Sequence, residues 1–346
     1  MRALYVHVPF CAKKCDYCDF ASYPGREDAW DAYFSALREE LRPWGGTFST
    51  AFLGGGTPSL VPARYVAGLA REISAGEFTI EANPGTLTEE KLKTYLDSGI
   101  NRLSMGVQSF DDGLLRAVGR IHTADEALRA YDMARKAGFR NINIDLMYAL
   151  PGQTMAQWKD TLSRTAALSP EHVSAYSLII EEGTPIAHWA APAPDELTLE
   201  MQRYATRALA DAGFGRYEIS NYAKPGFECA HNINYWTRGE YVGIGCAAHS
   251  LVGGERFANP ASLTEYLDGA RRAEVTKLTA RDEIEETVLL GTRMTRGVRL
   301  ADLPDRGAAD ELVRMGIAQI QSERFFLTER GLEVQNAAVL KLTENI

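Results

Sequence analysis

Three cysteines stand within eight residues near the start of the chain, Cys11, Cys15 and Cys18, directly after the β-rich run ALYVHV. Phe10, Tyr17 and Phe20 surround them. Three thiolates in one short loop can hold three irons of a [4Fe–4S] cubane and leave the fourth open. Such an iron can chelate the amino and carboxylate groups of S-adenosylmethionine and pass an electron to its sulfonium. The competing reading is a Cys3His zinc site with His7, although zinc ligands usually arrive as two separated pairs. Five cysteines is an odd number and three are crowded together, so a disulfide framework fits poorly.

A loop of this kind needs a rigid frame, and the chain around it repeats. From residue 3 to about 180, the β-rich runs ALYVHV, TAFL, FTIEA, RLSMGV, NINIDLMY and HVSAYSL alternate with helix-length amphipathic segments. Helices are expected over 28–42, 62–73, 88–97, 124–136 and 155–167. This alternation gives parallel strands joined by helices, as a barrel or as an open sheet. Five of the strands run into a polar or glycine-rich motif: HVPFCAKKCDYC, GGGTP, EANPG, GVQSF and DLMYALPG. In a (β/α) barrel the C-terminal strand ends share one face, so these motifs would converge, whereas an open sheet would use only those at its switch point. The expected fold is therefore α/β, a partial barrel of six units over 1–185.

Past Pro185 the pattern changes. AAPAPDE separates the array from a long helix over 195–212, and the segment 186–280 reads as helix followed by aromatic-rich loop, RYEISNYAKPGFECAHNINYWTRGEYVGIGCAAHS. The remainder, 281–346, reads as helices around two short strands in GIAQIQSERFFLTERG, a winged-helix-like module. It carries nine basic against twelve acidic residues, and the whole chain has a net charge of −9 without a basic run. Nucleic-acid binding is disfavoured on that balance. The 45% hydrophobic and 24% charged content is that of a soluble globular protein. No stretch approaches the ~18 apolar residues of a membrane span and no signal-peptide pattern opens the chain. A cytoplasmic protein is expected, with peripheral membrane contact left open.

The cysteine spacing, with an aromatic residue before the third thiol, resembles the signature of the radical SAM superfamily. HVPFC, GGGTPS, EANPGTL, LSMGVQSFDD, VGRIHT and DLMYALPGQT extend the resemblance over nearly the whole chain. They point to the coproporphyrinogen-dehydrogenase-like branch and, within it, to the heme chaperones. The resemblance implies a radical SAM partial (β/α)6 barrel, a [4Fe–4S] cluster on Cys11, Cys15 and Cys18, and bound S-adenosylmethionine. It places Tyr17 beside the adenine and Tyr5 near the methionyl end. Gly54, Gly55, Gly56 and Thr57 would meet the methionine amino and carboxylate groups, since glycine has no Cβ to block close approach. Glu81 and Asp145 would accept hydrogen bonds from the ribose or the methionyl ammonium, and Gln108 and Arg120 would donate to a carboxylate or ring nitrogen. Gln108, Arg120 and Asp145 also match positions linked, in some members, to a second S-adenosylmethionine. Without the family match, the glycine run reads as a tight turn, and a single Glu or Asp as a solvated or capping residue.

Two departures weigh against decarboxylase chemistry. Phe20 occupies the place of the fourth cysteine of the coproporphyrinogen dehydrogenases, and their long N-terminal extension is absent. The segment His231-Asn232-Ile233-Asn234-Tyr235-Trp236 instead matches the HNxxYW motif of the chaperone group. His231 is the candidate heme ligand, because a neutral imidazole is a good axial ligand and Tyr and Trp can pack on the macrocycle. Cys229 is read as a thiolate ligand or an incidental buried thiol, and His249 and Cys246 as structural. The expected function is a heme chaperone that transfers heme to an acceptor protein, with an electron donor left open. The alternatives are oxygen-independent coproporphyrinogen III dehydrogenation or radical SAM chemistry on another substrate. The distance in sequence between the cysteine loop and the HNxxYW segment suggests two separable sites.

Overall fold

The described residues, 1–344 of a computed structural model, carry six strand–helix units. The strands are β1 (Ala3–Val8), β2 (Thr47–Gly55), β3 (Ser74–Ala82), β4 (Arg102–Gln108), β5 (Ile142–Tyr148) and β6 (His172–Ser177). They pair in chain order and all in parallel. The helices that follow them are α1 (Trp30–Leu41), α2 (Ala63–Ala70), α3 (Glu89–Asp97), α4 (Ala124–Ala137), α5 (Met155–Leu168) and α6 (Asp195–Asp211). Their starts are written locally. Thr88 accepts from the Lys91 backbone at 3.2 Å, while Thr123 with Glu126 and Thr154 with Gln157 form capping boxes.

Successive strand side chains point to opposite faces, and here the two faces differ in chemistry. Leu4, Val6, Val8, Ala51, Leu53, Phe78, Ile80, Leu103, Met105, Ile142, Ile144 and Leu146 share one buried core with the helices. Each large side chain buried there contributes about 1.5–3 kcal/mol. The alternate positions Thr50, Thr79, Arg102, Ser104, Asn143, His172 and Ser174 are buried too, but polar. They fill the concave interior. Buried polar groups are costly unless partnered, so the partial barrel is an apolar shell around a hydrogen-bonded centre.

The segment after Pro185 does more than connect. Strand β7 (Tyr241–Ile244) pairs in parallel with β1, and antiparallel strands at His249–Val252, Glu255–Ala258 and Glu274–Lys277 continue that edge. At the opposite edge Asn221–Ala223 pairs antiparallel with β6. These strands have four residues or fewer and are broken by glycines, which is why the sequence reads as loop there. Gly243 is required at its position, since a Cβ would lie 2.1 Å from the His249 carbonyl oxygen. From Ala280 onward, helices Ala280–Gly291, Arg306–Arg314 and Gln335–Thr343 and a three-stranded antiparallel sheet enclose a separate cluster around Val288, Leu312, Phe325 and Leu342.

Candidate functional site

A cavity of about 600 Å³ opens at the C-terminal ends of the strands. Cys11, Cys15, Cys18, Tyr17, Gly55, Gly56, Thr57, Glu81, Gln108, Arg120 and Asp145 all line it, so motifs separated by more than a hundred residues do converge there. The cysteine loop is held from several sides. The Asp16 amide donates to the Val118 carbonyl at 3.2 Å, that of Tyr23 to Pro9 at 2.7 Å, and that of Thr57 to Phe10 at 2.7 Å. The Cys11 sulfur lies 3.4 Å from the Thr57 hydroxyl, and Arg120 donates to the Cys15 sulfur at 3.6 Å. The same guanidinium donates to the Gly106 carbonyl. Burial raises the pKa values of the Cys11 and Cys18 thiols, with neighbouring thiols adding to the effect. Three thiols on a fixed loop beside an open cavity, with a buried cation at hand, fit a cluster with one open iron.

The zinc alternative lacks its fourth ligand. His7 is buried, its Nδ1 3.0 Å from the Tyr5 hydroxyl and its Nε2 2.8 Å from the Ala21 carbonyl oxygen. Nε2 must donate to Ala21, so Nδ1 accepts from Tyr5 and neither nitrogen is free. Among the described residues no three His, Cys, Asp or Glu side chains are grouped to hold a single metal ion.

The carboxylates sit deeper. Glu81 accepts from the Gly55 amide at 3.1 Å, and its pKa is pushed up to about 8, by burial first and then by the nearby Asp145. Asp145 accepts from Ser104 at 3.0 Å and from Asn143 at 2.7 Å, with burial again raising its pKa. Behind it runs a chain of buried side chains: Asn143 Oδ1 lies 2.6 Å from His172 Nδ1, and His172 Nε2 lies 2.8 Å from the Tyr217 hydroxyl. Gln108 ends β4 at a register shift with φ +66°, a conformation costly for a non-glycine residue, and its side chain accepts from Tyr176 at 3.2 Å.

Two of the expected groups are tied to the protein's own atoms. Tyr5 does not line the cavity; it points into the barrel, bonded to His7 and packed near Phe52. Gly55 and Gly56 border the cavity and Gly54 does not, and at each what a Cβ would strike is the protein itself. At Gly55 (φ +103°) it would lie 2.4 Å from the His7 ring, and at Gly56 2.8 Å from the Val8 and Phe10 carbonyl oxygens. The glycine run therefore lets β2 close against β1 and the cysteine loop. Sequence reasoning missed Asn143, His172, Tyr176 and Ser104. The polar–apolar alternation of NINIDLMY was the available signal for the first.

His231 lies elsewhere than expected. The HNINYW segment is a short helix, α7 (Ala230–Trp236), whose start plugs the opposite end of the barrel. Glu77 on β3 accepts from the Ala230 and His231 amides, both at 2.9 Å, and from the Cys229 thiol at 3.4 Å. His231 is 1% exposed and stacks on Phe52 with ring centroids 5.1 Å apart. Its Nδ1 lies 2.8 Å from the Thr50 hydroxyl and its Nε2 2.9 Å from that of Tyr235. Burial, then the Arg102 charge, lowers its pKa to about 3. The imidazole is thus neutral, as a heme ligand must be, but both nitrogens are engaged. Tyr235 stands edge-on to His231 and Tyr241, and the Trp236 ring is covered by Arg293 at 4.5 Å. The HNxxYW helix thus lies at the end of the barrel opposite the cysteine loop, but it rests on the same strands, through Thr50, Phe52 and Glu77. Cys229 is fully buried with its pKa pushed up to about 12 by burial, Cys246 is buried against Tyr33, and His249 is exposed.

Comparisons with known proteins agree with this architecture. Residues 5–165 match the model of the radical SAM superfamily. The chain is 36% identical to the heme chaperone HemW of Lactococcus lactis, covering 97% of this chain and 95% of that protein. It is 34% identical to HemW of Bacillus subtilis, covering 96% of each. Its fold matches that of coproporphyrinogen III oxidase (HemN) from Escherichia coli, a radical SAM enzyme, with a TM-score of 0.84 at 24% identity, over 99% of this chain and 90% of that one. A cysteine loop at the mouth of a partial (β/α)6 barrel, full-length similarity to two HemW proteins and the intact HNxxYW helix place this chain in the HemW heme-chaperone family of the radical SAM superfamily.

Proposed function

We propose that this protein binds heme and passes it to an acceptor protein, while holding a [4Fe–4S] cluster and S-adenosylmethionine in the barrel mouth. The observation that carries the reading is near-full-length similarity to proteins named heme chaperones, with the HNxxYW residues all present. Cys11, Cys15 and Cys18 would hold the cluster, which when bound would supply a coordination position for the methionyl group and, once reduced, an electron. Arg120 donates to the Cys15 sulfur and closes one wall. Glu81 and Asp145 offer acceptors for the cationic and hydroxyl groups of the ligand, Gln108 offers its amide N–H to a carboxylate or ring nitrogen, and Tyr17 offers a ring face to the adenine. Arg120, Asp145 and Gln108 lie together in the same cavity, so any second S-adenosylmethionine would enter there.

His231 Nδ1 becomes available to heme iron only when α7 leaves the barrel end and gives up its bond to Thr50, the bond of Nε2 to Tyr235 lying within α7 itself. Heme capture is then a two-step event, opening followed by ligation. No helix among the described residues is long and apolar enough to cross a membrane; we place the protein in the cytoplasm, meeting acceptors there or at the membrane surface.

Coproporphyrinogen dehydrogenation is the second reading, favoured by the fold alone. Phe20, 67% exposed on the cavity rim, holds the position at which the resemblance to that enzyme group implies a cysteine. An anaerobic assay should show no coproporphyrinogen turnover above background; robust decarboxylation would replace the chaperone reading. Anaerobic reconstitution followed by heme titration of the wild type and of His231→Ala tests it from the other side.

A further inference from the structure

A second cleft, of about 330 Å³, lies between the C-terminal end of α7 and the residues that follow Thr287. Trp236, Met294 and Val298 line it together with Arg238, Arg296, Arg299 and Arg324. Four arginines around one cleft are unexpected in a chain of net charge −9. Two of them are neutralised: Arg238 pairs with Glu286 at 2.8 Å and Glu283 at 3.3 Å, and Arg299 with Asp302 at 2.7 Å. The other two are not. Arg324 donates only to the backbone carbonyls of Arg296 and Gly297, at 2.8 and 2.6 Å, and Arg296 is exposed with no side-chain partner among the described residues.

The indole of Trp236 adds a second, independent observation. Its Nε1 is buried without an acceptor, and so is Nε of Arg293, which stacks on its face. Buried donors without partners are uncommon. Around this cleft, then, are two unneutralised guanidiniums, an orphaned indole N–H and an apolar wall of Met294 and Val298. That combination suits a ligand with carboxylates at one edge and a flat apolar body, since guanidinium recognises carboxylate bidentately. Trp236 lies five residues beyond His231 on the same helix, about 7 Å along its axis but on nearly the opposite face, so one tetrapyrrole reaches both only once α7 has turned out of the barrel end.

We infer that this cleft receives the propionate carboxylates of heme, with Arg296 and Arg324 as their partners. This rests on the heme-binding reading above and deepens it. The propionate edge docks on the outer side of α7 first, and His231 on the inner side ligates the iron after the helix opens.

The test uses the full reconstituted chain, titrated with heme, with metal-free protoporphyrin IX and with its uncharged dimethyl ester, followed by the Soret band and tryptophan quenching. In the wild type the diacid should bind about tenfold or more tightly than the ester. Arg296→Glu should weaken the diacid by a similar factor and leave the ester unchanged, while Arg296→Lys, which keeps the charge but loses the bidentate fork, should fall between wild type and the glutamate variant. The ester comparison and the lysine variant decide the matter even if the glutamate variant folds poorly. Equal affinity for diacid and ester, or full displacement of the diacid by millimolar inorganic phosphate, would overturn the assignment. Unaltered one-to-one heme binding in a folded Arg296→Glu protein would overturn it and leave the chaperone reading standing. A wild type that binds no heme would remove both.

Discussion

The hydroxyl of Thr50 holds Nδ1 of His231 at 2.8 Å across 181 residues of sequence. Thr50 lies on β2, whose other end is the glycine run beside the cysteine loop. From His231 the contacts continue through Phe52 and Tyr5 to His7 and the Ala21 carbonyl, where the loop returns. The HNxxYW helix and the cluster loop thus rest on the same two strands, and disturbing one end should be felt at the other.

Thr50→Val removes the hydrogen bond that ties His231 Nδ1 to β2 but keeps the side-chain shape. Loss of that bond should cost about 1 kcal/mol of stability and favour the open helix. Heme association, followed at the Soret band by stopped flow, should become several-fold faster than in the wild type. An unchanged rate would mean that His231 is not the ligand, and attention would pass to the exposed His249.

Glu81, its pKa pushed up to about 8 by burial and then by Asp145, is mostly protonated at neutral pH. A cationic ligand favours the carboxylate, so binding of S-adenosylmethionine should release a proton. Affinity should then rise by up to about tenfold per pH unit from pH 6 and level off above about 8. Calorimetry in buffers of different ionisation enthalpy measures the proton count. Glu81→Gln should bind more weakly and with a flat pH profile; a pH-independent wild type would remove Glu81 from the ligand.

Acid should loosen the plugged end of the barrel. His231 in the fold has its pKa near 3, lowered first by burial and then by Arg102, against about 6.5 in the unfolded chain. Glu77, Cys229 and Tyr235 are its other titratable neighbours. The neutral form is the native one, so this contribution is complete above pH 6.5 and is lost as pH falls towards 3. At pH 5 the loss is roughly 2 kcal/mol. His122, lowered to about 4 by burial first, acts in the same sense, whereas Glu81 gains stability on acidification. The measurement is therefore a difference: urea unfolding of wild type and His231→Gln at pH 7 and pH 5. The variant should lose less on acidification; equal losses would contradict the burial-driven shift.

Serine at position 11, 15 or 18 should abolish the brown chromophore after anaerobic reconstitution, because a hydroxyl is a poor substitute for an iron-bound thiolate. Circular dichroism should remain close to wild type, since the apolar core lies on the outer face of the strands. Normal iron and sulfide content in any of the three would exclude that cysteine as an essential ligand.

Much of the barrel was legible because its signals are local. Strand runs, capping residues and the cysteine spacing each occupy a short stretch, and the strand-end motifs converge because the fold puts those ends on one face. Glu81 and Asp145 stood out only through the family match, since nothing near them in sequence reveals that they face one cavity. The place of α7 was not legible at all. Its helix start is capped by Glu77, more than 150 residues earlier, and its histidine by Thr50. The partner of Tyr5 was hidden for a related reason: it is the neighbouring inward residue His7, which a cofactor-based reading overlooks.

The measurement closest to the central claim is a heme titration of the anaerobically reconstituted full chain, with iron, sulfide and bound S-adenosylmethionine quantified in the same sample. The account expects saturable binding of one heme per chain, a Soret band distinct from free heme, and a cluster that stays intact. Absence of saturable heme binding by protein that carries a full cluster, above all with turnover of coproporphyrinogen, would contradict it.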